Sequence, residues 1–409
     1  MPHRATAGAP TVLFGAFDRH NFGDLLFPHV VARMLARREV VFAGLAARDL
    51  RRYGGHHVRA IGEIATASCA RTLDIIHVGG ELLTCDAWEA AVMLSPPDAL
   101  QAAIASEEAW RHDRLAWAQA RLGIAALAPY VLSRQSLPRA RVTRMCFNAV
   151  GGVDLSAHDP ALRAEVLAKL KEADDVSVRD RHTQALLGAS GVAARLVPDP
   201  AVMVAELFGG RIRRRAAAGE VRAMRETFPR GYAAVQFSGD FGDDGTLDAI
   251  ARQLDRVAIA QGLGVALFRA GAAPWHDDLA CYRRVASRVR GASVALFDSL
   301  DLWDICALIA HSRVYCGSSL HGRIVAMAFA LPRVNVSHPA HPMQPTKQAA
   351  FAQTWEPPDM PAAVGVQDIA DAVDRALAAD RAVLARAARE LADRYREGFR
   401  PVSEGPLLA

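Results

Sequence analysis

Short apolar strands alternate with helices along most of the chain, and this alternation constrains the fold more than any other feature of the sequence. In the first half, strands are predicted at residues 11–15, 39–43, 72–78, 145–150 and 175–180. Helical patterns of apolar residues, for example over 25–37 and 162–173, stand between them. Apolar strands that alternate with helices are typical of a parallel sheet with helices on both faces. The first half is therefore predicted to be a doubly wound, Rossmann-like α/β domain.

The same alternation starts again after a change of composition around 209–220, where Gly, Arg and Ala dominate. Predicted strands of this second half are residues 232–237, 264–268, 293–297, 313–316 and 333–336, and a last helix, with a break, is predicted over 366–396. A chain of 409 residues is too long for one ordinary core. We therefore predict two Rossmann-like domains, residues 1–210 and 216–409, that face each other across a cleft, with the basic run 211–215 as a solvated linker.

The composition excludes several classes of protein. Lys and Arg total 48 against 44 acidic residues, and these charges are spread along the chain, so nucleic-acid binding is not expected. No stretch of about 18 residues is apolar throughout, so no membrane span is expected, while attachment to a membrane surface stays open. Six cysteines without metal-ligand spacing predict free thiols, a cytoplasmic location and no metal ion. They are Cys69, Cys85, Cys146, Cys281, Cys306 and Cys316.

A turn rich in serine near the end of the second half has the pattern of an anion site. An apolar run that begins at Val314 ends in Gly317, Ser318 and Ser319, and a helical pattern follows with His321 in its first turn. The N-terminus of a helix has unpaired N–H groups and a partial positive charge, so it attracts anions. The two serines are candidates to cap the helix or to donate hydroxyls, and His321 is a candidate proton donor beside the anion. The alternative for His321 is a structural, hydrogen-bonded histidine.

Other candidate residues follow the predicted strands of the first half, where ligand groups gather in parallel sheets. Asn21, Gly23 and Asp24 lie between the first strand and the first helix, as a ligand loop or as a plain turn with an N-cap. Gly79 and Gly80 precede Glu81 after a later strand, where two glycines either bring N–H groups to a phosphate or form an ordinary turn.

Two charged candidates and two histidines complete the set. Arg179 is expected either to bind a carboxylate or phosphate in the cleft or to pair locally with Asp175 or Asp180. Asp199 lies between two prolines and is expected to cap the next helix. The secondary candidates, in a Pro-rich loop after the last predicted strand, are His338 and His341.

In their order and spacing, these motifs resemble the polysaccharide pyruvyl transferase family. The resemblance begins at Asn21, covers most of the chain, and is most specific over the run Ser318-Ser319-Leu320-His321-Gly322. It implies a GT-B-like fold and transfer of a pyruvyl group from phosphoenolpyruvate, as co-substrate and without a cofactor, to hydroxyls of a saccharide or lipid-linked glycan, commonly as a ketal. Such an enzyme is expected in the cytoplasm or at the inner face of the membrane.

The resemblance also implies roles for individual residues. Phosphoenolpyruvate carries a phosphate and a carboxylate, and we expect Arg179 to bind one of them. The start of the helix, with Ser318, Ser319 and Leu320, is expected to bind the other, and His321 to move a proton. The second domain is thus expected to hold the donor, and the first to provide the acceptor side and part of the donor site.

One position departs from the family pattern, because relatives often have an arginine directly before the Leu-His pair, where this chain has Ser319. We expect Ser319 itself, Arg323 or Lys347 to replace that guanidinium. Helical geometry puts Arg323 on the flank opposite to His321, so it is an imperfect substitute.

Two other functions compete with pyruvyl transfer. A glycosyltransferase of the same architecture that uses a nucleotide sugar needs a carboxylate for the ribose, and Asp298, Asp301 and Asp304 are candidates, although they also fit a capped helix start. A non-catalytic, sugar-binding protein with this fold is the third interpretation. A dinucleotide dehydrogenase is not favoured, because no Gly-x-Gly-x-x-Gly follows the first strand.

Overall fold

The computed structural model of the chain describes residues 9–35, 38–67, 72–96, 114–274, 276–291, 293–338, 346–361 and 363–404. Within these residues the chain forms two sheets, one from each half, which confirms the prediction of two doubly wound α/β units. Of the residues singled out in the sequence, Cys69 and His341 lie outside the described residues.

The first sheet has eight strands in the order β3-β4-β2-β1-β5-β6-β7-β8, and every neighbouring pair is parallel except β3 and β4. Its strands are β1 (Thr11–Phe14), β2 (Val40–Gly44), β3 (Arg48–Asp49), β4 (His57–Ala60), β5 (Thr72–His77), β6 (Arg141–Val150), β7 (Asp175–Val178) and β8 (Arg195–Leu196). Its helices are α1 (Phe22–Met34), α2 (Ile61–Ala67), α3 (Ala87–Met93), α4 (Arg114–Leu122), α5 (Pro160–Lys171) and α6 (Arg181–Ala189). The central strand β1 is buried along its whole length, as its continuous apolar sequence predicts.

The second sheet has five parallel strands in the order β11-β10-β9-β12-β13. They are β9 (Tyr232–Gln236), β10 (Gly264–Phe268), β11 (Val294–Phe297), β12 (Val314–Gly317) and β13 (Arg333–Asn335). The helices that follow these strands are α9 (Asp244–Gln261), α10 (Leu279–Arg288), α11 (Leu302–Ala310), α12 (Leu320–Ala328), α13 (Lys347–Trp355) and α14 (Ile369–Leu377). The strand order changes direction between β9 and β12, and ligands of such sheets bind at the carboxyl ends of strands at this kind of point.

The segment predicted as a linker is helical instead. It forms α7 (Val204–Ala216) and α8 (Gly219–Thr227), because Ile212 is buried in the core and the arginines around it favour a helix. Arg215 of the basic run pairs with Asp301, and the Arg211 guanidinium lies 4.1 Å from the ring centre of Trp303. The basic run 211–215 is therefore part of a helix rather than a linker, and its Arg211, Arg213 and Arg214 are exposed to solvent as predicted.

The last helix, α15 (Arg381–Glu404), returns to the first domain, although the sequence assigned residues 216–409 to the second. Its start contributes Leu384 to the core of the second domain. Further along, the carbonyls of Gly398 and Pro401 accept hydrogen bonds from Arg195 and Arg144 of the first sheet, and the Tyr395 hydroxyl accepts one from Asn148. The helix therefore fastens the two domains together. The predicted break in this region is confirmed between α14 and α15.

A loop of the first domain makes a second link between the domains. The His20 carbonyl accepts hydrogen bonds from the backbone N–H groups of Ala272 and Ala273, and Phe22 N–H donates to the Ala270 carbonyl. Ala272 N–H is also 3.1 Å from Nδ1 of His20, whose Nε2 donates to the Leu300 carbonyl. These bonds hold the loop after β1 against the loop after β10, and both loops border the cleft between the domains.

The described part of the chain contains no helix that is both long enough and apolar enough to cross a membrane. The five cysteines in it are buried free thiols, as the sequence predicts.

Candidate functional site

A cleft of about 550 Å³ lies between the two sheets, where loops from both domains meet. The residues from the sequence-based prediction that line it are Asn21, Asp24, Glu81, Arg179, Ser318, Ser319, Leu320, His321, His338 and Lys347. Most of them follow strands β1, β5, β7 and β12, as expected from the rule that ligand groups gather at the carboxyl ends of parallel strands. The structure therefore brings together residues that lie up to 326 positions apart, from Asn21 to Lys347.

The turn after β12 is built largely from hydrogen bonds to Gln236 at the end of β9. Gln236 accepts from Ser318 N–H with its carbonyl, at 3.1 Å, and from Ser319 N–H with Oε1, at 2.8 Å. Ser319 is the N-cap of α12, because its Oγ accepts from Gly322 N–H at 3.2 Å. Ser318 Oγ accepts from Ser238 N–H at 3.0 Å. Both serine oxygens thus act as acceptors inside the protein, and their hydroxyl hydrogens remain to be donated.

His321 lies in the first turn of α12, and only 9% of its surface is exposed. Its ring packs edge-on against Phe27, at 5.0 Å between ring centres. Nε2 is 3.7 Å from Oδ2 of Asp199 and has no hydrogen-bond partner among the residues that the structure describes. A buried polar atom without a partner is rare and costly in proteins, so this nitrogen is ready to bind a group that enters the cleft.

Arg179 is almost completely buried and holds two carboxylates. It pairs with Glu81 through Nη2 and with Asp199 through Nη1, the latter at 3.1 Å. These are not the local partners considered in the sequence, Asp175 and Asp180, since Glu81 comes from the loop after β5. Two acids satisfy this guanidinium, so its contacts do not support the prediction that it binds an anion of the donor.

Asp199 connects Arg179 to His321. Burial on its own would raise the pKa of this carboxyl, but the imidazole of His321 and the guanidinium of Arg179 outweigh burial and hold the pKa below its usual value. Asp199 is therefore an ionised, fully buried group that orients both side chains. It also accepts from Ala201 N–H at 2.9 Å, so the predicted capping role is confirmed.

The loop after β1 forms the predicted turn with an N-cap, and it also places a carboxylate at the cleft. Asn21 caps α1, because its Oδ1 accepts from Gly23 N–H at 3.0 Å. Asp24 is therefore not the cap, and its carboxylate faces the cleft with Oδ2 3.7 Å from Nη2 of Arg19. Gly23 packs directly against His321, as described in the Discussion.

The glycine pair after β5 continues the sheet instead of facing the cleft. Gly79 and Gly80 have φ values of +116° and +94°, which favour glycine. Gly80 forms a bridge with Val150, and its carbonyl accepts from Gly151 N–H at 2.8 Å. These residues position Glu81, and their contacts do not support the prediction of a phosphate-binding turn.

Arg323 lies far from the predicted donor site. Its side chain is fully buried on the other flank of α12 and donates to Glu356 at 2.6 Å, to Asn335 at 3.1 Å and to the Pro361 carbonyl at 2.6 Å. Arg333 pairs with the same Glu356 carboxylate at 2.5 Å. The geometry of α12 thus corrects the prediction that Arg323 replaces the missing guanidinium, because a helix turns residues two apart to opposite sides.

Two of the three carboxylates considered for a nucleotide ribose, those of Asp301 and Asp304, have structural partners. Asp301 caps α11 by accepting from Trp303 N–H at 2.8 Å, and Arg215 pairs with both Asp301 and Asp304. Asp298 N–H donates to Glu220 at 2.5 Å. The alternative of a capped helix start is confirmed for Asp301, and these three residues lie outside the lining of the cleft.

The cleft residues that the sequence did not single out include Arg19, Gln236, His276 and Asp277. Asp277 accepts from Gln236 Nε2 at 2.8 Å and from Ala270 N–H at 2.5 Å. Burial raises its pKa to about 7, although these hydrogen bonds act in the opposite direction. Arg19 stands two positions before Asn21 in a loop already identified, so its positive charge could have marked it as a candidate cleft residue. The other three have no local motif.

Within the described ranges, no group of three or more His, Cys, Asp or Glu side chains is arranged to hold a metal ion.

Comparison with known protein families accounts for most of the chain. The model of the polysaccharide pyruvyl transferase family matches residues 21–339. This stretch contains the cleft residues from Asn21 to His338. No curated protein matches the sequence.

Solved structures with a similar fold include a putative sugar-nucleotide epimerase and a protein solved with UDP. A putative UDP-N-acetylglucosamine 2-epimerase from Listeria monocytogenes is 10% identical, with a TM-score of 0.55 over 98% of this chain and 99% of that one. The S. aureus MnaA structure with UDP is 12% identical, with a TM-score of 0.51 over 96% and 93% of the two chains. At these identities the likeness concerns the fold alone, and it confirms the GT-B-like architecture.

Proposed function

Because the chain belongs to the polysaccharide pyruvyl transferase family, we propose that it moves a pyruvyl group from phosphoenolpyruvate to hydroxyls of a saccharide or lipid-linked glycan. The observation that carries this proposal concerns His321, which lines the cleft: its buried Nε2 has no partner among the described residues and lies 3.7 Å from Asp199. Membership of the family indicates which group is transferred, and His321 is a candidate for proton transfer in the cleft between the two domains. Reaction on a lipid-linked glycan would take place at the inner face of the membrane.

The proposed reaction has three steps. A proton adds to the methylene carbon C3 of phosphoenolpyruvate, which makes C2 electrophilic. An acceptor hydroxyl oxygen then bonds to C2 and gives up its proton. A second hydroxyl of the acceptor bonds to C2 as the C2–O bond to phosphate breaks, so the products are a ketal and inorganic phosphate, which leaves with one of the released protons.

His321 is the residue we assign to a proton transfer in this reaction, either to C3 or from the attacking hydroxyl. Asp199 holds the imidazole from the side of the first domain, and Phe27 packs against its ring. The hydroxyls of Ser318 and Ser319, at the positive end of α12, are placed to donate to an anionic group of the donor. Lys347 at the rim of the cleft adds a positive charge.

The competing function is sugar transfer from a nucleotide sugar, since two-domain proteins of this fold include nucleotide-sugar enzymes. Of the carboxylates considered for a ribose, Asp301 and Asp304 are engaged at α11 and none of the three lines the cleft, which favours the phosphoenolpyruvate reaction. A direct measurement separates the two donors. Calorimetric titration with phosphoenolpyruvate should show saturable binding, and titration with UDP-sugars should show none; the reverse result would reject the proposal.

Activity is best tested by release of inorganic phosphate from phosphoenolpyruvate across a panel of saccharide and lipid-linked acceptors. Release is expected only when a suitable acceptor is present, which also separates an enzyme from a sugar-binding protein. The His321→Ala variant should release phosphate about 100-fold to 10,000-fold more slowly, with an unchanged unfolding midpoint. The matched control is His57→Ala, because His57 is an exposed histidine on β4 that does not line the cleft. Full activity in the His321 variant would remove this residue from the mechanism.

A further inference from the structure

The cleft contains a guanidinium that is more weakly paired than its arginine neighbours. Arg179 is satisfied by Glu81 and Asp199, and Arg323 is buried against Glu356 outside the cleft. Arg19, in contrast, has a side chain that is 11% exposed, and its Nε and Nη1 atoms are buried without a hydrogen-bond partner in the described part of the chain. An arginine stays charged in proteins, so its five N–H donors have to be satisfied by other groups.

The carboxylates near Arg19 leave most of these donors unused. Asp24 is the ion-pair partner, and its Oδ2 is 3.7 Å from Nη2, which is longer than a hydrogen bond. Asp18 has both oxygens engaged elsewhere, with the Tyr130 hydroxyl at 2.7 Å and Leu45 N–H at 2.7 Å among its donors. The guanidinium also lies 5.6 Å from the ring centre of Tyr130. The Arg19 guanidinium is therefore a charged group beside the cleft with unused N–H donors, and such a group is suited to binding an anion.

A second unused nitrogen belongs to a residue of the other domain that lines the same cleft. Nε2 of His276 is buried and has no hydrogen-bond partner within the described ranges. Burial, together with the positive charges of Arg19 and Lys347, lowers the pKa of His276 to about 3, so the ring is neutral and keeps one N–H to donate. The backbone bonds between His20 and residues 272–273 fix the two loops that bear Arg19 and His276.

We propose that Arg19 and His276 together form the binding site for an anionic group, a phosphate or a carboxylate, at the junction of the two domains. Arg19 supplies a charge-assisted pair of donors from the first domain, and His276 supplies a neutral donor from the second. The identity of the ligand as phosphoenolpyruvate rests on the proposed function, whereas the anion site itself does not. The anion therefore also links the domains, because it contacts one loop from each.

The test is calorimetric titration of the full-length protein with phosphoenolpyruvate, inorganic phosphate, pyruvate and UDP in separate experiments. The variant is Arg19→Gln, and Arg52→Gln is the matched control, because Arg52 is an exposed arginine stacked 4.5 Å from the ring centre of Tyr53. Arg19→Gln is expected to weaken phosphoenolpyruvate binding about tenfold to a hundredfold, and the control should bind as the unmodified protein does. If Arg19→Gln weakens binding of inorganic phosphate, the site binds the phosphate group of phosphoenolpyruvate. If it weakens binding of pyruvate, the site binds the carboxylate.

Two variants keep the test decisive if Arg19→Gln does not fold. Arg19→Lys retains the charge without the paired donors, and His276→Ala removes the second donor; each is expected to weaken binding of the same anion. Unchanged affinity in the folded variants overturns the proposal, as does the absence of saturable binding of every anion to the unmodified protein. Arg19-dependent binding of UDP or phosphate, without turnover of phosphoenolpyruvate, would reject the proposed function while it supports this site.

Discussion

Gly23 of the first domain and His321 of the second pack against each other so closely that no side chain fits between them. A Cβ atom built on Gly23 would lie 2.6 Å from Cβ of His321 and closer still to ring atoms Cγ and Nδ1. The contact therefore fixes the imidazole from one side, while Phe27 packs against it and Asp199 faces Nε2. The glycine is required here for close approach of backbone and ring, not for a left-handed conformation.

Replacement of Gly23 by alanine should displace the imidazole and impair catalysis. We expect kcat/KM for acceptor-dependent phosphate release to fall about 100-fold, since a shift of about 1 Å in a reacting group has an effect of this size. The control is Gly62→Ala in α2, where a Cβ would meet no atom within 4 Å. That change should leave activity unaltered and stabilise the helix by up to about 1 kcal/mol. Normal kcat/KM in the Gly23 variant would show that the position of the ring does not limit the reaction.

Much of the site could be predicted because its elements have local signals. The helix after Ser319 follows from an apolar strand, a capping residue and apolar residues at helical spacing, and the same spacing correctly separates Arg323 from His321. The pairing of Arg179 with Glu81 could not be predicted, because these residues are 98 positions apart and meet only when β5 and β7 are in one sheet. The same holds for His276 and Arg19, which come from different domains.

The helical structure of the segment predicted as a linker has a related cause. Two adjacent glycines, Gly209 and Gly210, interrupt the helical pattern, so the segment was interpreted as a linker, yet tertiary packing of Ile212 and stacking on Trp303 hold it as α7. The return of α15 to the first sheet depends on distant partners such as Tyr395 and Asn148, which have no sequence signature.

A buried ion triad behind α12 should make a large contribution to stability. Glu356 accepts from Arg323 and Arg333, and all three side chains are almost completely buried. Glu356→Gln leaves two buried guanidinium groups without a carboxylate, so we expect the free energy of unfolding at pH 7 to fall by about 3–5 kcal/mol. Urea denaturation measures this change. The control is Asp371→Asn in the exposed pair with Arg256, which should change stability by less than about 0.5 kcal/mol.

The same triad has a defined pH dependence. Burial would raise the pKa of Glu356, but Arg333 and Arg323 hold it below its usual value of 4.5. A carboxyl with a lowered pKa in the folded state contributes stability that is complete above 4.5 and is lost as the pH falls through the lower folded value. Glu356→Gln should therefore lose less stability than the unmodified protein over this acid range. If both proteins lose the same unfolding free energy over this range, the triad does not cause the loss of stability in acid.

His77 should make the protein less stable as the pH falls from 7 to 5. Its Nδ1–H donates to the Cys146 carbonyl at 3.1 Å and its Nε2 accepts from Leu132 N–H at 3.1 Å, so the folded protein requires the neutral ring. Burial lowers the pKa of this ring to about 3 from 6.5. The unfolded state therefore takes up the proton first, and stability is lost as the pH falls below 6.5, by about 2 kcal/mol at pH 5.

The variant for this prediction is His77→Gln, because an amide can donate and accept in place of the neutral ring without taking up a proton. The difference in unfolding free energy between pH 7 and pH 5 should be about 2 kcal/mol smaller than in the unmodified protein. Replacement of the exposed His57 by Gln serves as the control and should leave the pH dependence unaltered. An unchanged pH dependence in the His77 variant would mean that other groups account for the acid loss.

Asp277 in the cleft should make the protein less stable as the pH rises, which is opposite to the effect of His77. Burial raises the pKa of its carboxyl to about 7 from 3.8, so the folded protein holds a proton that the unfolded chain has released. Its contribution to stability is complete below 3.8 and is lost as the pH rises through 7, by about 3 kcal/mol between pH 5 and pH 8. Asp277→Asn should remove this loss. The neighbouring cap residue Asp278, replaced by Asn, is the control, since asparagine also caps helices.

The ionisation of Asp277 should also affect the part of the site that contains His321. Its carboxylate accepts from Gln236 Nε2, and Oε1 of Gln236 accepts from Ser319 N–H, the cap of the helix that bears His321. Ionisation strengthens the first of these bonds, because charged acceptors bind an N–H more tightly. Phosphate release should therefore change through a titration near pH 7 in the unmodified protein, and this step should be absent from Asp277→Asn. The same titration in both proteins would assign the step to another group.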